Sequence, residues 1–371
     1  MIKKELKIVL KRLNEKGYEA FLVGGATRNF LLNLPISDYD VCTSADPNAI
    51  KMIFNDYVIY DIGKKLGTVA VIINKIRIEI TPYRLEGKYN KHRFPSEIKF
   101  TDDLTEDLKR RDFTINALAM DQNQKIVDLF NGIDDLNNKI IRCINNPDVR
   151  FNEDGLRILR ALRFKTKLNF TIEEKTKKSM FKNKDLLNYI SNERKKEELL
   201  QILQCENCFE TINEYLPVFQ TFMPFTKIKK QTNNFSNCLY TLSYLLIDKK
   251  ANLKQLKYSK EEINLINTLV SVSNIDYQDD YSFICAMSDI NQKHIYQYLS
   301  ELYNIDLKQR YMRLKKYMVT INDLKIDGNL LKEYGYVESK IKQIKNQILD
   351  KIHRQELTNT KSAIIKYLNN I

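Results

Sequence analysis

The sequence contains no tryptophan, three histidines, seven prolines, ten glycines and six cysteines in 371 residues. Six cysteines (Cys42, Cys143, Cys205, Cys208, Cys238, Cys285) over so long a chain are too sparse for a disulfide framework, so reduced thiols are expected. Cys205 and Cys208 form a lone C-x-x-C with no second pair and no histidine nearby, which argues against zinc or redox use. No apolar run approaches the roughly 18 residues of a membrane span. The basic N-terminal stretch reads as an amphipathic helix, without the unbroken apolar core and cleavage site of a signal peptide. The expectation is a cytoplasmic protein with no membrane partner. The distribution of the punctuating residues says more. Eight of the ten glycines lie at or before Gly155 and no proline follows Pro224, so mixed structure is expected first and helices after it.

What is present is ordinary for a folded chain: 43% hydrophobic and 29% charged residues, at a length that favours two or more domains. The formal net charge is +13, divided as +3 in residues 1–150 and +10 in residues 151–371. A basic second part suggests a polyanionic partner; a general compositional preference for Lys, Asn, Ile and Tyr is the competing explanation. Glu19 to Val23 reads as a short strand ending in Gly24-Gly25, followed by helical composition from Ala26 to Asn33. Asp38 to Thr43 is a second strand, and the stretches from Gly67 and from Lys75 read as a pair of adjacent strands. From Asn152 onward apolar residues recur at helical spacing, as in Leu156, Leu159 and Leu162. Polar patches at 226–236 and 274–282 are candidate linkers.

Chemistry concentrates in the first part. Gly24-Gly25 at a strand-to-helix turn lets backbone N–H groups approach phosphate, and Arg28 adds a charge-assisted contact. Ten residues later Asp38 and Asp40 share a strand face by alternation, an arrangement that holds paired metal ions. Two carboxylates so close are strained unless a divalent cation neutralises them. In this order and spacing the residues describe a nucleotidyltransferase palm.

VGGATRNFLL with SDYDVCTSA resembles the first motif of the class II tRNA nucleotidyltransferases (CCA-adding enzymes) and the bacterial poly(A) polymerases, within the DNA polymerase beta superfamily. EDLKRRDFTINALAMD (106–121) is similar to the family's ribose-reading motif, VDLFNGIDDL (127–136) to the acidic turn after it, and RFNEDGLRILRALRF (150–164) to the base-reading helix. A fainter similarity to the Gram-positive type returns from Ile326 to Leu368, without the usual proline-glycine after Gly335. The resemblance implies an α+β protein: a small mixed palm followed by an all-helical neck, body and tail. The expected borders are a catalytic head at 1–140, a neck at 141–210, a body at 211–285 and a tRNA-binding tail at 286–371. It further implies transfer of CMP and AMP from CTP and ATP to the 3′ end of tRNA, gripped by its acceptor arm. Two Mg²⁺ ions on Asp38 and Asp40 would serve the transfer; Glu79, on the polar side of its strand, either completes that site as a third catalytic carboxylate or is an exposed strand residue. Arg111 and Asp112 would read ribose and phosphate with support from Asn116.

The base-reading segment also has a direct chemical argument. Asp154 and Arg157 are i and i+3, so a continuous helix places them on one face. Cytosine and adenine both offer an amine donor beside a ring-nitrogen acceptor, whereas uracil and guanine offer an oxygen beside a ring N–H. A carboxylate with a guanidinium therefore passes C and A and refuses U and G. Arg160 and Arg163 extend the ridge, and such a row of arginines suits a triphosphate.

Departures from the family pattern are Asn29, where the family usually has aspartate, and Asn131, where glycine is common. The loop 86–100 keeps Tyr89, Arg93 and Pro95 of the CCA-adding flexible loop, which argues against a CC-only enzyme. Gly63-Lys64-Lys65-Leu66 replaces the arginine-rich element of poly(A) polymerases. The isolated histidines (92, 294, 353) leave no appended phosphohydrolase domain. Partial CC or A addition, poly(A) synthesis and a non-catalytic RNA-binding role are the alternatives.

Overall fold

Helix α1 (Lys4–Glu15) sets Leu6, Val9, Leu10 and Leu13 on one stripe, and all four are buried. In the computed structural model, which describes residues 3–63, 66–87, 89–90, 94–228 and 234–370, this helix packs on a seven-stranded sheet. Arg93, His92 and the Lys64-Lys65 pair lie outside the described residues. Strand β1 (Ala20–Val23) leads through Gly24 into α2 (Gly25–Leu31), and β2 (Tyr39–Thr43) returns antiparallel to β1. Helix α3 (Pro47–Ile53) starts on Asp46, whose carboxylate accepts from the N–H groups of Asn48 and Ala49, with Pro47 in the first turn. The sheet continues with β3 (Val58–Gly63), β4 (Thr68–Ile73) and β5 (Ile76–Pro82). Its strand order is Ile126–Asp128, Leu118–Met120, β1, β2, β5, β4, β3. The β2–β5 pair is parallel, and all the other pairs are antiparallel.

Side-chain alternation divides this sheet into two faces. Val41, Val69, Val71, Ile78 and Ile80 meet α1 and α3 in one core. The opposite face carries Val23 and Cys42, covered by Leu108 of α4 (Leu104–Lys109) and by Ile144. Asp40 is the next residue of β2 on that second face, at the point where the cover ends and the cleft opens.

After α5 (Gly132–Asn137) the unit becomes helical: α6 (Pro147–Glu153), α7 (Leu156–Leu168), α8 (Glu174–Asn183) and α9 (Asn192–Leu203). Asn131, which precedes α5, adopts the left-handed conformation at φ 57°. The segment expected to be one helix over 150–164 is two. Asp154 leaves helical geometry (φ −140°, ψ 105°), and its Oδ1 accepts from the N–H of Leu156 at 3.0 Å. Gly155 then lets the chain pass Leu186, because a Cβ there would lie 3.0 Å from the Leu186 Cβ and 3.1 Å from its carbonyl oxygen. The expected facing of Leu156, Leu159 and Leu162 toward the core holds, since all three are buried.

The chain divides into two compact units, residues 1–223 and 224–371. The borders expected at 210/211 and 285/286 fall inside helices Cys208–Glu214 and Asp280–Met287. The second unit is helical throughout its described elements. Ser259 and Glu262 cap helix Lys260–Val272 reciprocally, and a separate apolar cluster of Leu331, Ile344, Ile348, Ile352 and Ile364 closes the chain's end. Among the described residues no helix is long and apolar enough to cross a membrane.

Candidate active site

The cleft floor begins at Gly24, whose φ of +65° is the left-handed conformation that glycine tolerates and where a Cβ would stand 3.3 Å from Arg111 Nη1. Bare backbone there lets the guanidinium of Arg111 come close to the β1–α2 turn. Arg111 is fixed from behind by Asp107, whose Oδ2 accepts from its Nη2 at 3.0 Å, while Asp107 Oδ1 accepts from Arg110 at 2.6 Å. Burial alone would raise the Asp107 pKa, but Arg110 and Arg111 hold it below the usual carboxylate range. Burial works against the charge of Arg111 too, yet Asp107 and its other neighbours keep its pKa raised. The buried Nε of Arg111 has no hydrogen-bond acceptor.

Asp112 is a hub. Its Oδ1 accepts from the backbone N–H of Phe113 at 2.8 Å and from Asn116 Nδ2 at 3.0 Å, and its Oδ2 accepts from Arg160 Nε at 2.8 Å. Asn116 Oδ1 in turn accepts from Arg28 Nη1 at 2.7 Å. Although burial opposes ionisation, Arg160 and Asn116 pull Asp112 down to about 2. Both oxygens of Asp112 are therefore committed inside the protein, and the groups it presents to the cleft are Arg28 and Arg160. Burial pulls the pKa of Arg28 down to about 10, opposed by Asp112 and reinforced by the nearby Arg163 and Arg160. Three mutually repelling guanidiniums held at one wall favour an anion.

Asn29 answers the departure noted in the sequence. Its Oδ1 accepts from Arg28 Nε and Nη2 at 3.2 and 2.9 Å, and its Nδ2 donates to the Pro35 carbonyl at 2.9 Å. The amide orients Arg28 and closes the loop to β2, a second bond that an ionised carboxylate could not donate.

The expected Asp154–Arg157 face is corrected by the helix break. Arg157 donates to Glu153 Oε2 at 2.6 Å and to the carbonyls of Arg150 and Arg110 at 3.1 and 2.9 Å, and it is 7% exposed. Asp154 is instead gripped by both Nη atoms of Arg194, at 3.2 and 2.7 Å. The arginine row likewise has protein partners: Arg163 lies 2.7 Å and Arg160 4.0 Å from Glu198. Arg194 and Glu198, one turn apart on α9, and Asp107 were missed in the sequence. The i,i+3 and i,i+4 spacing of Asp107 to Arg110 and Arg111 was the available signal; nothing local linked α9 to Asp154.

Every residue named from the sequence for nucleotide or metal, except Glu79, lines one cleft of about 810 Å³, large enough for a nucleoside triphosphate. Nine basic side chains against five acidic ones line it, a surplus that suits a polyphosphate. Asp38 and Asp40 stand at its edge. Although the side chain of Asp40 is exposed, partial desolvation by its surroundings raises its pKa, the charges of Glu79 and Asp38 add to this and Arg111 opposes it. Glu79 is the register partner of Asp40 on β5, but its carboxylate accepts from Arg77 Nη2 at 2.6 Å and faces a separate hollow. Among the described residues no group of three or more His, Cys, Asp or Glu side chains is gathered for a metal. Two hard oxygen ligands with a penalised charge fit a cation that completes its shell from water and substrate phosphate, the habit of Mg²⁺.

Comparison with known families gives two matches, both within the first unit. Residues 20–142 match the family described as the Poly A polymerase head domain, and residues 169–216 match the one described as the probable RNA and SrmB-binding site of polymerase A. The CCA-adding enzyme of Staphylococcus epidermidis is 35% identical over 339 residues, covering 87% of this chain and 82% of that protein. The CCA-adding enzyme of Ligilactobacillus salivarius is 35% identical over 392 residues, covering 96% and 94%. The crystal structure of the Bacillus stearothermophilus CCA-adding enzyme with CTP superposes with a TM-score of 0.77 at 24% identity, over 100% of this chain and 98% of that one.

Proposed function

The chain belongs to the family of CCA-adding enzymes, and on that premise we propose how its cleft adds CCA to the 3′ end of tRNA from CTP and ATP without a nucleic-acid template. The observation that carries the reading is the meeting of Asp38 and Asp40 with the Arg28–Arg160–Arg163 wall in one cleft. The triphosphate lies on that wall, steadied by Arg111 and by the backbone at Gly24-Gly25. The tRNA 3′-hydroxyl oxygen attacks the α-phosphorus; the new O–P ester forms as the bond to the bridging oxygen breaks, and pyrophosphate leaves with the hydroxyl proton passing to water. Mg²⁺ held by Asp38 and Asp40 would lower the hydroxyl's pKa and neutralise charge on the departing oxygens. The arginines bind charge and carry no base information. Base choice falls to Asp154 and to Arg157, which line the same cleft apart from that wall; each must exchange its protein partner, Arg194 and Glu153 respectively, for the base edge.

The division of labour we propose puts chemistry and base reading in the first unit, 1–223, and the hold on the acceptor arm in the second, 224–371, which carries a net positive charge. The reaction places the protein in the cytoplasm with its tRNA.

The test uses the purified chain, a tRNA transcript ending at the discriminator base, Mg²⁺, and each nucleotide singly and in pairs. CTP with ATP should extend the transcript by three nucleotides, and Asp38→Ala or Asp40→Ala should abolish extension while tRNA binding persists. A long tail from ATP alone would favour poly(A) synthesis, the activity named by the head-domain match; a stop after two residues would mark a CC-adding enzyme.

A further inference from the structure

Beside the nucleotide cleft lies a second hollow of about 340 Å³. The two share Ser37 and Asp38, but none of the cleft's arginines reaches the second. Its cations are Lys3, Lys75 and Arg77, set around Asp38 and Glu79. Lys3 precedes α1 and its ammonium stands 5.5 Å from the centroid of the Tyr39 ring. Lys75 comes from the two-residue turn between β4 and β5, and Glu5 of α1 accepts a hydrogen bond from Asn74 of that turn at 3.1 Å, which ties the two lysine-bearing segments together. Neither Lys3 nor Lys75 is ion-paired among the described residues, whereas Arg77 is occupied by Glu79.

The turn itself is informative. Asn74 and Lys75 have φ of 49° and 67°, the double left-handed geometry in which asparagine-glycine is favoured. A lysine in the second position is conformationally costly, so the turn carries a cation where glycine would fit better.

We infer that this hollow binds the phosphodiester backbone of the tRNA 3′ strand next to its terminal hydroxyl. The inference rests on the reading of Asp38 and Asp40 as the transfer site. In-line displacement brings the attacking oxygen from the side opposite the departing pyrophosphate. The arginine wall takes the triphosphate in the cleft, and the lysine hollow adjoins that cleft at Ser37 and Asp38 without sharing any of its arginines. Its volume is small for a second triphosphate and suits a phosphate group with its sugar edge.

The test is the double variant Lys3→Ala/Lys75→Gly in the full chain. Lys75→Gly removes a cation while fitting the turn's geometry, so thermal stability should not fall. The KM for the truncated tRNA should rise by about tenfold, and the slope of log(kcat/KM) against log salt should flatten by roughly 1.4, two contacts at about 0.7 each. The KM for CTP and inhibition by pyrophosphate should stay within twofold. A tRNA KM and salt slope equal to those of an active parent would overturn the assignment alone. A raised CTP KM and weakened pyrophosphate inhibition with unchanged tRNA KM would give the hollow to pyrophosphate and overturn it too. A parent that adds no nucleotide would overturn the transfer reading and this inference with it.

Discussion

Asp112→Asn is the perturbation whose size follows most directly from the structure. Asparagine keeps the shape of the carboxyl but removes the charge that Arg160 pairs with at 2.7 Å. Asp112 is 7% exposed, so little water replaces the lost partner. The fall in its pKa from 3.8 to about 2 corresponds to roughly 2 kcal/mol of stabilisation by the ionised form, at about 1.4 kcal/mol per unit. A depressed carboxylate contributes fully above its unfolded value and loses that contribution as pH falls through the folded value. The variant should therefore be about 2 kcal/mol less stable at pH 7 and at pH 5. The gap should narrow below about pH 4 and close only as the pH falls below about 2, where the parent's carboxyl becomes neutral too. Urea titrations of parent and variant across that range read the gap. The same change should raise the KM for CTP and ATP together, because Arg160 and, through Asn116, Arg28 lose their anchor. A gap under about 0.5 kcal/mol, or one that stays constant down to pH 3, would refute the placing of Asp112 at the centre of the network.

Two further outcomes follow. Gly24→Ala should cut incorporation of both nucleotides by about tenfold or more, since it combines a left-handed φ with a methyl 3.3 Å from Arg111 Nη1; single-turnover rates that match the parent would contradict the close approach. Mg²⁺ should raise the parent's melting temperature at pH 7 by relieving the crowded carboxylates, and Asp40→Asn should abolish that gain; an equal rise in both proteins would move the metal elsewhere.

Much of this was legible in the sequence because strands and tight turns write their geometry locally. The Gly24-Gly25 turn and the β4–β5 hairpin are each set by a few neighbouring residues and stand as expected, whereas Asp38, expected to share a strand face with Asp40, immediately precedes β2 (Tyr39–Thr43), although both aspartates line the cleft. The helix over 150–164 failed because apolar periodicity outweighed a local signal: Asp154-Gly155 is a turn-forming pair whose carboxylate accepts from the N–H of Leu156, and the close pass of Leu186, 31 residues away, adds a contact that periodicity does not record. The partners of Asp154 and of Arg163 were hidden in the same way, since Arg194 and Glu198 follow 40 and 35 residues later on α9. Asp112 reads as a ribose and phosphate contact because its segment resembles the family's ribose-reading motif. Only three-dimensional packing reveals that its oxygens already serve Phe113, Asn116 and Arg160.

The central claim is that side chains of this cleft, in place of a nucleic-acid template, choose the base. The measurement is a four-nucleotide incorporation series on truncated tRNA for the parent, Asp154→Ala and Arg160→Ala, scored as ratios between nucleotides. Loss of the Asp154 acceptor removes a charge-assisted bond worth roughly 1.5 to 3 kcal/mol, so preference for C and A over U and G should fall about tenfold or more. Arg160→Ala should slow CTP and ATP alike and leave the ratios unchanged. An Asp154→Ala protein that keeps the parent's ratios would contradict the claim and move base selection to another surface.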